Sequence, residues 1–154
     1  MSKADRQYRT NLNGQTALPV AQVFELARQV GGSTKAGGMK LQESDARSNN
    51  ELIFEMRSTG MSYFFRGINA SGEQGRIVVA AVPVASAEGN AARTDILVHL
   101  DGAYTTRTAV VLVPVTPKTV VGFDAFQSFL TGVEAAIRRE DQTAQIRISD
   151  SPPN

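Results

Sequence analysis

The sequence predicts an α+β protein: a strand and a helix, then an antiparallel meander of six strands, then a long C-terminal helix. Three observations carry this. Residues 16–30 have apolar side chains at helical spacing, residues 39–115 alternate with period two between closely spaced turn signals, and residues 124–139 form one amphipathic stripe. Short turns between successive strands favour antiparallel pairing.

The elements follow in order. Tyr8, Thr10 and Leu12 alternate with polar residues before Asn13-Gly14 and read as a first short strand, with residues 1–6 disordered ahead of it. In the helix over 16–30, Val20, Val23, Phe24, Ala27 and Val30 share a face, Pro19 sits in the first turn, and Gly31-Gly32 ends the element. The six strands fall at about 39–47, 50–58, 61–69, 74–85, 92–101 and 103–114. Pro83 removes a ladder donor, so its strand should carry a bulge or lie at an edge there. Asp124 and Gln127 fit a capping-box spacing at the head of the last helix. Its stripe is Phe126, Phe129, Leu130, Val133 and Ile137, and Arg138 and Arg139 complement the dipole at its end. Residues 140–154 are polar and read as a flexible tail, within which Gln145 to Ile148 alternate. The expected domain is therefore 7–139.

Composition narrows the function. The chain has 154 residues, 42% of them hydrophobic and 20% charged, enough for one domain with its own core. Its 16 basic and 15 acidic side chains leave a net charge of only +1, so nucleic acid is not an expected partner. With no cysteine and one histidine, thiolate chemistry and paired-imidazole metal sites are excluded, and no cofactor is expected. The polar start shows no signal-peptide h-region, and the longest apolar run, 109–113, is too short to span a bilayer. The expectation is a cytoplasmic protein without membrane insertion.

Few residues suggest chemistry. Residues 31–38 are glycine-rich but lack the Gly-Lys-Ser/Thr of a phosphate loop and follow a helix, so they read as a connection. His99 shares a strand face with Asp95 and Asp101. Side chains two residues apart on a strand sit roughly 6.6 Å apart, too far for an orienting bond, and no nucleophile can be placed beside them. Glu43 and Asp45 share a face and are too few for a calcium site. Tyr63 shares parity with Phe65 and should point inward, where its hydroxyl needs a partner.

The stretch Leu18-Pro19-Val20-Ala21-Gln22-Val23-Phe24-Glu25-Leu26, together with the element order, resembles the helix-grip fold of the START, polyketide-cyclase and birch-pollen-allergen superfamily (SRPBCC). The resemblance covers roughly residues 7–139. It departs from the family in leaving little room between Gly31 and Gly38 for a second short helix. It implies a curved sheet wrapped around the C-terminal helix, with an apolar cavity between them. Strand parity independently gives one apolar face, on which Leu52, Phe54 and Met56, then Ile77, Val79 and Ala81, then Ile96, Val98 and Leu100 alternate with outward residues. The expected ligand-binding residues are Phe24, Phe54, Met56, Tyr63, Phe65, Val98, Leu112, Phe126, Phe129 and Leu130. The expected function is binding of a small hydrophobic molecule, such as a lipid, isoprenoid or polyketide-like compound, without catalysis. A cyclase or aromatase using the same cavity and an interaction protein with a filled core are the alternatives. On the other face, Ile53, Phe64, Val78, Leu97 and Val111 share parity, and a homodimer covering them is expected.

Overall fold

The computed structural model describes residues 3–44, 48–59, 73–85, 92–101, 109–110, 113–114, 120 and 122–151. Its elements are α1 (Lys3–Arg9), β1 (Asn11–Thr16), α2 (Val20–Ser33), β2 (Lys35–Ala36), β3 (Met39–Glu43), β4 (Glu51–Ser58), β5 (Glu73–Val84), β6 (Arg93–Asp101), β7 (Ala109–Val110), β8 (Val113–Pro114), α3 (Phe123–Glu140) and β9 (Gln145–Ser149). Seven strands form one curled antiparallel sheet in the order β2-β3-β4-β5-β6-β1-β9. The strands β3 to β6 are a meander, and β1 returns to lie between β6 and the last strand.

Period-two patterning works here because one sheet face is dry. In register, Phe54 lies opposite Ile77 and Ile77 opposite Leu100, while Leu52, Val79, Val98 and Leu12 form the adjoining row. All seven are at most 5% exposed. This face meets the buried stripe of α3, Phe126, Phe129, Leu130, Val133 and Ile137, and the α2 residues Val23, Phe24, Leu26 and Ala27, in one core that runs from Leu12 to Ile146. The Phe54 and Phe129 rings meet at 5.2 Å between centroids in a tilted pair. Where the helices cross, Gly132 admits Val30, whose Cγ1 lies 2.7 Å from where a Cβ at position 132 would stand.

Several sequence expectations are corrected. Tyr8 belongs to α1, not to the first strand, which begins at Asn11, and residues 3–6 are helical. The helix α2 runs through Gly31 and Gly32 to Ser33. Gly31 serves a close approach instead, since a Cβ there would sit 2.7 Å from the Phe54 ring. The turn lies further on, at Gly37 and Gly38, whose φ of 58° and 74° make a tight hairpin between Ala36 and Met39. Asp124 does not cap α3. Gly122, with φ of 84°, holds that position, and Asp124 falls inside the first turn, where a carboxylate still suits the dipole. The 103–114 strand is replaced, among the described residues, by the short β7 and β8, which pair with each other. Pro114 closes that ladder with no N–H to extend it. Residues 145–149 are not tail but β9, paired along β1. The expected strand over 61–69 lies outside the described residues.

Pro83 is accommodated without a bulge. It pairs in register with Thr94 on the β6 side. Two residues earlier, the Ala81 N–H donates to the Asn50 carbonyl, just ahead of β4. The position of the missing proline donor therefore falls where β4 has not yet begun, so the strand is locally an edge there. The register shift lies at the other end, between Met56 and Arg57, opposite Gly75.

Candidate functional site

The candidate site is built from both partners of the grip. Strand alternation sends Phe54, Met56 and Val98 to the dry face of the sheet, and helical periodicity sends Phe126, Phe129 and Leu130 to the facing side of α3. The α2 residue Phe24 closes onto the same core. These seven expected residues converge in one cluster and are 0–9% exposed. Tyr63, Phe65 and Leu112 lie outside the described residues. The inner rows continue toward both ends of the strands. Gly75 faces Met56 at one end, and Ala81, Ile96 and Gly14 make a row near the other.

The end of the sheet where α3 begins differs in character from the middle. Met39 and Met56 are each 1% exposed there. A Cβ on Gly122 would stand 3.1 Å from Met56 Sδ and 3.8 Å from Met39 Cγ, and a Cβ on Gly75 would stand 2.9 Å from Met56 Cε. Both glycines have positive φ, 84° and 153°, so the backbone is shaped around a methionine side chain. Nearby, Phe123 packs edge-on against Phe126 at 6.2 Å, and the Val120 N–H donates to Gln7 Oε1 of α1 at 2.8 Å. The lining is apolar and soft, with no titratable group placed in it by these contacts.

The titratable groups singled out in the sequence sit elsewhere and act structurally. Glu43 accepts from Arg28 Nε through both carboxylate oxygens, each at 3.2 Å, tying β3 to α2. Asp45 lies outside the described residues. His99 is half-buried on the outer face with Nδ1 2.9 Å from the Leu100 carbonyl oxygen. No group of three metal-ligating side chains occurs among the described residues. There too, no helix is long and apolar enough to cross a membrane.

Sequence reasoning missed one polar centre, at the opposite end of the grip. Asp141 follows α3 and is 8% exposed. Its Oδ1 accepts from the Thr143 hydroxyl at 2.6 Å and the Thr143 N–H at 3.0 Å. Its Oδ2 accepts from the Thr16 hydroxyl at 2.7 Å and the Ala17 N–H at 2.8 Å. These donors, with the Thr143 hydroxyl foremost, hold the carboxyl well below the usual carboxylate range. Thr94 extends the set by donating to the Leu18 carbonyl at 2.6 Å. Asp-Gln-Thr after a helix is an Asx-turn pattern, and that is the signal the sequence held. Four bonds leave the carboxylate fully committed, so this centre is a clamp between β1 and the end of α3.

On the outer face, a shallow depression of about 500 Å3 opens over β1, β5 and β6, lined by Asn13, Gln15, Ala80, Val82, Asp95 and Leu97 among others. Of the apolar residues expected to drive self-association, Val78 is 5% exposed and Ile53 and Leu97 are half-buried. Phe64 and Val111 lie outside the described residues. The depression joins a carboxylate and two amides to an aliphatic floor, without a nucleophile beside a base.

Comparison of the chain with family models, with curated proteins and with solved structures found no match in any of the three.

Proposed function

We propose that this chain is a helix-grip protein that binds a small hydrophobic molecule between its curled sheet and α3. The observation that carries the reading is the uniform apolarity of the gripped space: sheet rows, α2 and α3 converge there with Phe24, Phe54, Met56, Val98, Phe126, Phe129 and Leu130. Binding in such a space needs burial and shape, whereas a reaction needs a placed titratable group. Among the titratable groups described, Glu43, His99 and Asp141 are each held by partners of their own, which favours binding over a cyclase-type reaction.

The test is a fluorescence titration with all-trans-parinaric acid, a straight-chain fluorescent polyene whose emission is read without interference from tryptophan, which the chain lacks. The reading predicts saturable one-to-one binding with a raised melting temperature, because a ligand that prefers the folded state stabilises it. Emission that rises without saturating, with no thermal shift, would leave the filled-core alternative in its place.

A further inference from the structure

The proposed binding site has a residue that determines what it accepts. We propose that Met56 is a displaceable plug at the α3 end of the grip, and that the site takes an unbranched alkyl chain whose end replaces the methionine side chain. This rests on the binding reading above and adds the place of entry and the ligand class.

Three features single out Met56 among the buried side chains. Its Cε and Sδ face two glycines on different elements, Gly75 of β5 and Gly122 ahead of α3, so backbone rather than interlocking side chains surrounds its tip on those sides. The β4–β5 ladder shifts register immediately after it, between Met56 and Arg57. Register shifts loosen the local ladder and commonly mark places where a side chain is re-aimed. Methionine turns about three side-chain bonds at little energetic penalty, and its thioether adapts to varied apolar partners. By contrast, Phe54 is locked in a ring pair with Phe129, and Val98 lies in the middle of the sheet between β5 and β1. The middle of the core therefore resists opening, while this end holds an unbranched side chain whose tip lies directly against glycine backbone.

The geometry also restricts what replaces it. A methionine side chain is a slender unbranched chain of four heavy atoms. The space it vacates fits the end of a straight alkyl chain and excludes a ring or a branched isoprenoid unit without further repacking, which dense interiors oppose.

The experiment uses the full chain with methionine methyl groups labelled with carbon-13, giving four signals, Met1, Met39, Met56 and Met61. The Met56 signal is assigned by its loss in Met56→Leu, a swap of similar volume that keeps the fold. Octan-1-ol and cyclooctanol are titrated separately. The proposal predicts saturable octan-1-ol binding that moves or broadens the Met56 signal and leaves Met1 in place. It predicts at least tenfold weaker binding of cyclooctanol, and at least fivefold weaker octan-1-ol binding by Met56→Leu at a nearly unchanged melting temperature. Saturable octan-1-ol binding with Met56 unmoved, or equal affinity for the two alcohols, overturns the plug and spares the binding reading. Absence of saturable binding by either alcohol and by parinaric acid overturns both.

Discussion

At the scale of single residues, Asp141 sets the acid limit of this fold. Its carboxyl titrates lower in the folded chain than the roughly 3.9 of a free aspartate, because four donors favour its charged form. The stability it contributes is therefore full above the ordinary carboxylate range and is lost as pH falls below it. Asp141→Asn keeps one acceptor oxygen and turns the other into a donor facing donors. The variant is expected to lose roughly 2–3 kcal/mol at neutral pH and to show a shallower stability decline between about pH 4 and pH 2. Urea melts of both proteins across that interval check the expectation. Gly14 is the second such position. It has φ of 142°, and a Cβ there would run into the Gln145 carbonyl. Gly14→Ala should cost on the order of 3 kcal/mol and release β9 from β1, which hydrogen exchange at the amides of 145–149 would report.

At the scale of elements, α3 is held by its apolar stripe more than by its ends, since Gly122 offers it no side-chain cap. Phe129, 0% exposed and paired with Phe54, is the centre of that stripe, so Phe129→Ala should cost roughly 3–5 kcal/mol by denaturant melting if the site packs solidly. A much smaller loss would mean that the space around the ring is already open. The stripe, the β3-to-β6 part of the meander and the dry parity of β4, β5 and β6 were legible in the sequence, because each is a repeated pattern over many residues. What was not legible depended on single contacts at a distance. Alternation at Gln145–Ile148 is visible, but only the closeness allowed by Gly14 makes it a strand. Gly31 looks like a helix stop until Phe54 is seen beneath it, and Asp124 looks like a cap until Gly122 takes the position. The seven described residues of the expected lining fall in the core, because they lie on the inner parity of the strands and on the inward stripes of α2 and α3. Asp141 was missed because its partners Thr16 and Ala17 stand more than a hundred residues away.

At the scale of the whole molecule, the sheet offers a ligand two different surfaces. The inner face is apolar and closed by two helices, and the outer carries the depression over Asn13, Gln15, Val82 and Asp95. The account assigns binding to the inner one. A small apolar molecule gains roughly 25 cal/mol for each Å2 of its surface removed from water, and the inner face removes it most completely. Intermolecular nuclear Overhauser effects between bound parinaric acid and the protein separate the surfaces directly. The account predicts effects to the side chains of Met56, Val98, Phe126 and Phe129 and none to Val82 or Leu97. Effects confined to Val82, Ala80 and Leu97 would contradict it and place binding on the outside of the sheet.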